Sequence, residues 1–395
     1  MKPLTSDMQL RQIEIQGYKS IENCKLELGA LNILIGANGA GKSNLLSVFN
    51  LIKNIMDGNL LDYILFNGGA KSVLYYGGNT SDRFTITLLF KEFMYEASIV
   101  PTVDDRSAIE EKYSAEDYRN AKLDIERTEY PSPRIIRKGY ESFAKPMYEE
   151  SFWLNPANHD PVEKKYLIKT KNVVQSIIKT LRQYRTYHFN DTSDTALLKK
   201  YNQINDNIYL RQDGRNLAAF LYLLKEVYPK SYSQIVDTVQ AVAPFFDDFF
   251  LRPEPKNNEI IMLEWLANGY DQPFKAFQLS DGTLRFIGLA TLLLQPEELM
   301  PQTIVIDEPE LGLNPFAISI LGELIKSVAT ERQLIISTQS VELLNEFDLE
   351  DIVVIDYVDG KSVIERKKQQ EFETWLEDYT IGELWLKNFL GGRPA

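Results

Sequence analysis

Apolar positions divide the chain into an α/β pattern at its two ends and a different pattern between them. Leu10 to Gly17 alternates Leu10, Ile13 and Ile15 with polar residues, as a strand with one buried face does, and Cys24 to Leu28 alternates similarly. Leu31 to Ile35 is a short, almost continuous apolar run, suited to a strand buried on both faces. A glycine loop follows, then a helix-periodic stretch from Ser43 through Ile55. Phe84 to Phe90 and Met94 to Val100 read as a hairpin turning near Lys91-Glu92. Asp104 to Glu129 is charged and helix-favouring, and Tyr130-Pro131-Ser132-Pro133 breaks it. Pro146, Pro156 and Pro161 bracket a loop-rich stretch, and lysine-rich Val162 to Arg185 reads as helix. Leu217 to Val227 is a compact apolar helix after Asp213-Gly214, and Ala290 to Leu294 is helical and buried. Thr303 to Ile306, Leu334 to Ile336 and Ile352 to Ile355 are short buried strands. The expected architecture is a discontinuous α/β domain, 1–100 with 245–395, interrupted by a mostly helical insertion at 101–244. No internal repeat, low-complexity tract or sustained heptad run is visible.

Composition narrows the class. With 44% hydrophobic and 25% charged residues over 395 positions, the chain is an ordinary folded protein rather than a mainly disordered one. A single cysteine, Cys24, excludes a disulfide framework and an all-cysteine metal site, and fits a reducing cytosol. Two histidines, His159 and His188, argue against a multi-histidine metal centre or a Ser-His-Asp triad. The longest apolar run, Phe286 to Leu294, is far short of the roughly 18 residues that span a bilayer. The start MKPLTSDMQL lacks a signal-peptide core. A cytoplasmic protein without a membrane partner is expected.

The net charge of −13 disfavours phosphate backbones unless a local patch overrides it. Such a patch exists: Val162 to Phe189 carries Lys164, Lys165, Lys169, Lys171, Lys179, Arg182 and Arg185 against Glu163. Tyr184, Tyr187, Tyr201 and Tyr209 lie in or near it. Two readings stay open: solvated helix faces of a lid packed on the head, or a nucleic-acid groove running along Lys164 to Arg185. Val341 to Glu383 is strongly acidic, with 13 acidic and 4 basic residues. It is either a solvated surface or a partner-docking one.

Three motifs carry chemistry. Gly36-Ala37-Asn38-Gly39-Ala40-Gly41-Lys42-Ser43 fits the phosphate-loop pattern, between a buried strand and a helix. Its glycines let backbone N–H groups converge on phosphate oxygens, and the helix N-terminus adds positive potential. Lys42 would reach the β/γ-phosphates and Ser43 would ligate Mg²⁺; Gly36, Asn38, Gly39, Gly41 and Asn44 complete the ATP cradle. Thr303 to Glu308 is an apolar strand that delivers Asp307 and Glu308 to its C-terminal edge, where α/β sheets bind ligands. Asp307 would hold Mg²⁺ through water and Glu308 would orient the attacking water. Leu279-Ser280-Asp281-Gly282-Thr283 starts a helix, with Ser280 as its N-cap.

The order of phosphate loop, Leu-Ser-Asp-Gly, Asp-Glu strand and Leu311-Gly312-Leu313-Asn314-Pro315 resembles the ABC-type ATPase heads of the SMC and RecF class. Gly17-Tyr18-Lys19-Ser20-Ile21 resembles the N-terminal strand motif of that class, and Ser337-Thr338-Gln339-Ser340 resembles its switch. The chain is more similar still to AAA-type ATPases related to the overcoming-lysogenisation-defect (OLD) proteins. That likeness includes Tyr187 to Thr192, Asp213 to Leu217 and Gly391-Gly392-Arg393-Pro394. The resemblance implies a P-loop NTPase, Mg²⁺ and ATP as cofactors, and a head-to-head homodimer or higher homo-oligomer. In it Ser280 and Gly282 of one subunit bind the γ-phosphate held by the other. It also implies Gln339 in the switch role, and a separate effector in phage defence or genome maintenance. Rival expectations are a RecF-like DNA clamp and an ATP-bound scaffold that holds a toxin or nuclease. OLD nucleases add a TOPRIM domain with an Asp-x-Asp pair; none follows Asp307, so no nuclease activity is expected of this chain. Three departures stand out. Gln339 replaces a common histidine, Asp281 replaces a glycine, and no glutamine lies between Gln16 and Gln175 to serve as the usual Mg²⁺ contact. His188, Asn190 and Asp191 are candidate substitutes.

Overall fold

A computed structural model describes residues 9–393 except 79–80, 92, 102–106, 117–121, 130–133, 138–139, 144–174 and 194. Its centre is a six-stranded sheet ordered Tyr184–Tyr187, Thr303–Asp307, Gln333–Ser337, Leu31–Ile35, Ile352–Val358 and Lys361–Arg366. The first five strands are parallel, and the last is the returning arm of a hairpin. Both faces are covered, which explains the unbroken apolar runs. Ile33, Ile35, Ile304, Ile306, Leu334 and Ile336 face one core, while Leu34, Val305 and Ile335 face a second. Helices Leu217–Val227, Pro229–Val242, Asp281–Leu294 and Pro315–Ala329 close the first core, and helix Lys42–Asp57 lies in the second.

Strands that are apolar on both faces do not set their own register by alternation. Here Asn32 does so. It is fully buried, its amide donates to Gly29 O and Leu334 O at 3.0 Å each, and its Oδ1 accepts from Gly29 N at 2.9 Å. A one-residue slip would leave these groups unpaired, at about 1–3 kcal/mol each.

The second core is shared with an eight-stranded antiparallel sheet, ordered Ile21–Glu27, Gln12–Tyr18, Phe84–Leu89, Phe93–Pro101, Ser107–Glu116, Lys122–Glu129, Arg134–Arg137 and Tyr140–Phe143. This corrects the helix expected over Asp104 to Glu129. Residues 107–115 pair one for one with Phe93–Pro101, and that ladder outweighs the helix preference of their Glu and Lys. A second correction concerns the lysine-rich stretch. Residues 175–181 are helical, but Tyr184–Tyr187 is the edge strand of the central sheet. Its aromatic and β-branched residues fit a strand beside Thr303–Asp307. Lys164, Lys165, Lys169 and Lys171 lie outside the described residues. No helix among the described residues is long and apolar enough to cross a membrane.

Candidate active site

The C-terminal ends of the parallel strands gather the sequence motifs at one edge. Leu31–Ile35 delivers the phosphate loop, Thr303–Asp307 delivers Asp307 and Glu308, and Gln333–Ser337 delivers Thr338 and Gln339. The loop must stay thin at two places. A Cβ on Gly36 would collide with the Ile355 carbonyl, and one on Gly41 with the Ser362 hydroxyl. Ser362 donates to Ala40 O at 2.6 Å and shares a 2.7 Å hydrogen bond with Ser20. Asn44 Nδ2 donates to Ser20 Oγ at 2.7 Å. Asn44 therefore braces the first helical turn, while Asn38, Gly39 and Ser43 are exposed at the mouth.

Lys42 is buried and donates to Gly36 O at 2.6 Å and Ala37 O at 3.1 Å. Burial lowers its pKa, and the carboxylates of Glu308, Asp307 and Glu310 oppose that shift. The ammonium thus lies in the field of three carboxylates. Ser337 donates its hydroxyl to Asp307 Oδ1, fixing that carboxylate at the strand end. Glu308 has φ 47°, in the left-handed region, which costs a non-glycine residue about 1–2 kcal/mol. Its backbone N–H donates to Ser337 O at 3.0 Å, and its Oε1 accepts from Gln339 Nε2. A carboxylate oxygen can only accept, so the Gln339 amide nitrogen must face it.

Sequence reasoning missed Glu310. It is buried, and its Oε1 accepts from Thr338 Oγ1 at 2.8 Å and Gln339 N at 2.9 Å. Its position in Asp307-Glu308-Pro309-Glu310, one turn beyond a ligand-binding strand, was the available signal. Burial raises its pKa. Arg285 was missed too. It donates to Leu311 O at 2.8 Å and Asn190 O at 2.9 Å, tying the Leu-Ser-Asp-Gly helix to the loop after Glu308 and to the Tyr187–Thr192 segment.

The signature residues have local partners. Ser280 caps its helix by accepting from Thr283 N at 3.1 Å, and it is exposed. A Cβ on Gly282 would collide with the Gly312 carbonyl, so this glycine has a packing reason. Asp281 lies 3.6 Å from the buried Lys199, a partner that answers its replacement of glycine. His188, Asn190 and Asp191 are exposed and leave the sheet beside Asp307, since Tyr187 is in register with Ile306. The two other markers are structural. Asn216 is fully buried and pairs with Arg211 N, Asp206 O and Tyr209 O. Gly392 donates its N–H to Asp356 Oδ2 at 2.9 Å and packs beneath Gly36.

Of the two readings of Lys164 to Arg185, the groove loses several members. Tyr184 and Tyr187 are buried in the two cores. Arg182 Nε donates to Met56 O at 3.0 Å, and Arg185 stacks on Tyr209 at 3.7 Å. These side chains are committed to the fold.

The Ser43 hydroxyl and the Asp307 carboxylate are hard oxygen donors. They fit Mg²⁺, which takes one or two protein ligands plus phosphate and water. Among the described residues no group of three or more His, Cys, Asp or Glu forms a dedicated metal cage.

The sequence matches, over residues 31–345, the family described as "AAA domain, putative AbiEii toxin, Type IV TA system". The chain belongs to that family. No curated protein matches it. Among solved structures it is similar to an Smc head bound to the C-terminal winged-helix domain of ScpA, at 14% identity and TM-score 0.51, covering 92% of this chain and 99% of that one. It also aligns with an Smc head with an extended coiled coil bound to the C-terminal domain of ScpA, from Pyrococcus furiosus, at 15% identity and TM-score 0.49, covering 93% and 98%. The fold is an α/β P-loop NTPase with the ABC-type head architecture, and the family match makes the protein a P-loop ATPase of the AAA type.

Proposed function

We propose that the protein is a Mg²⁺-dependent, ATP-hydrolysing dimeric switch of the OLD-like class that controls a separate effector in prokaryotic phage defence or genome maintenance. The observation that carries this reading is the Glu308–Gln339 hydrogen bond, formed at the sheet edge that also holds Lys42 and Asp307. Lys42 exchanges its loop carbonyls for phosphate oxygens. Glu308 orients the attacking water, and Gln339 fixes the carboxylate that does so. Ser43 and Asp307 would hold Mg²⁺, which when bound would supply neutralising charge for the phosphates. Gln339 can donate a hydrogen bond but cannot take up or release a proton as a histidine does, which favours slow turnover.

Pairing is supported by the exposed start of the Leu-Ser-Asp-Gly helix, which packs through Gly282 on Gly312, next to the exposed Leu311. Ser280 and Gly282 then meet the partner's γ-phosphate. A defence role is supported by the toxin–antitoxin wording of the family description, and a separate partner by the ScpA domain seated on an Smc head. No nuclease step is assigned to this chain.

The test is the solution mass of Glu308→Gln by light scattering, with and without Mg-ATP. A shift from monomer to dimer on adding ATP is expected. A mass that ignores both ATP and the substitution Ser280→Arg would sink the sandwich.

A further inference from the structure

Glu310 presents an unusual combination. It is a carboxylate 8% exposed, one of whose oxygens, Oε1, takes two hydrogen bonds from consecutive residues of the switch segment. Its other oxygen, Oε2, is buried without a hydrogen-bond partner. A buried carboxylate is costly to retain, so its retention needs a compensating task. Its side-chain bonds all run to the switch turn. Gln339 N is held at 2.9 Å, which fixes the Cα from which the Gln339 side chain extends to Glu308. Thr338 Oγ1 is held at 2.8 Å and in turn accepts from Ser340 N at 3.0 Å, so the whole turn is pinned. Thr338 N donates to Leu34 O at 3.0 Å, so the pinned turn is registered against the phosphate-loop strand. The backbone around Glu310 is fixed as well: Leu313 N donates to Glu310 O at 3.0 Å.

We propose that Glu310 is a positioning residue for hydrolysis, gripping Thr338 and the Gln339 backbone so that the Gln339 amide reaches the Glu308 carboxylate. The proposal rests on the reading of Glu308 as the residue that orients water. Glu310 bonds the switch turn and acts through Gln339. Removing it releases the switch turn and leaves Glu308 free to leave its φ 47° conformation.

The experiment is steady-state ATP hydrolysis by the full chain, with ATP affinity measured separately by calorimetry, for Glu310→Ala, Glu310→Gln and Thr338→Val. Glu310→Ala should lower kcat by about tenfold or more while KM and ATP affinity stay within about threefold, the signature of a lost transition-state arrangement. Glu310→Gln keeps the accepting oxygen and should recover at least about half of kcat. An unchanged kcat for Glu310→Ala, or a loss of ATP affinity that matches the loss of kcat, would overturn the proposal. So would a glutamine variant as slow as the alanine one. Where Glu310→Ala does not fold, Thr338→Val decides. It removes one of the two donors and should lower kcat about threefold at unchanged KM, and an unaltered kcat rejects the idea. Failure of the underlying reading looks different: Glu308→Gln would then turn ATP over like the wild type.

Discussion

The side-chain amide of Gln339 donates to the carboxylate of Glu308 across two neighbouring parallel strand ends. Glu308 is held in a left-handed conformation, and the Gln339 amide can donate a hydrogen bond but cannot exchange a proton as an acid or base. Together they present an aimed carboxylate in the field of Lys42, and Glu308, Asp307 and Glu310 all oppose the lowering of the lysine's basicity by burial. The pair, rather than either residue, is the unit that the proposed chemistry uses.

Breaking the pair should therefore separate binding from turnover. Glu308→Gln should retain ATP binding and lose hydrolysis, whereas Lys42→Ala should lose binding itself. Gln339→Ala should lower kcat by about tenfold or more with ATP affinity nearly intact. Calorimetric titration of ATP and a phosphate-release assay on the three variants check this. Equal losses of affinity in all three would mean that the site does not divide this way.

Gly282 offers a test of packing against anion binding. A methyl group there meets the Gly312 carbonyl, which Arg285 also approaches through its contact with Leu311 O. Overpacking of this kind costs about 1–3 kcal/mol. Gly282→Ala should lower the unfolding midpoint measurably even without nucleotide. A variant as stable as the wild type but unable to pair would assign the glycine to the partner's phosphate alone.

The central sheet was legible because its strands are short apolar runs, and the phosphate loop because backbone approach admits few residues besides glycine at Gly36 and Gly41. Asp307 and Glu308 were legible because an apolar strand that ends in two acids has few other uses. Ser107–Glu116 and Lys122–Glu129 were hidden by composition, since the pairing of the first with Phe93–Pro101 and of the second with the first overrides local helix preference. Tyr184–Tyr187 was hidden for a related reason: charge drew attention to Arg185, while the strand's partner lies more than a hundred residues away at Thr303. Glu310 and Arg285 were illegible because their importance comes from backbone carbonyls and N–H groups that the sequence does not display.

Burial raises the pKa of Glu310, and the sign of its effect on stability follows. The folded state holds the proton more tightly than the unfolded one. Ionisation therefore costs stability, and the cost grows as pH rises from the ordinary carboxylate range through the raised folded value. Glu310→Gln removes the charge and should be more stable than the wild type at neutral pH. That advantage should shrink as pH falls into the ordinary carboxylate range. Thermal unfolding of both proteins across pH 4 to 8 checks this, and a constant difference would contradict it.

Cys24 should be inert while the chain is folded. It lies in the second core, and burial pushes its thiol up to about 12. The thiolate is the reactive form, so almost none is present at neutral pH. Alkylation by iodoacetamide should be negligible in buffer and complete in denaturant. Rapid labelling of the native protein would mean that the antiparallel layer opens readily.

The last prediction concerns the Gly391-Gly392 segment, which lies far along the chain from the phosphate loop and directly against it. Gly392 has φ 80°, and its N–H donates to Asp356 Oδ2. A Cβ there would stand 2.9 Å from Val354 Cγ1 and 3.3 Å from Gly36 Cα. Neither neighbour gives way easily, because Val354 belongs to a central strand and Gly36 is itself pressed on the Ile355 carbonyl. Gly392→Ala should therefore displace the start of the phosphate loop and weaken ATP binding by about tenfold, since anion cradles depend on converging backbone N–H groups. The antiparallel sheet lies elsewhere and should be undisturbed, so Cys24 should stay protected from alkylation in the variant. Unchanged ATP affinity would show that the loop tolerates the shift. Lost affinity together with an exposed Cys24 would show a general loosening of the head rather than a local one.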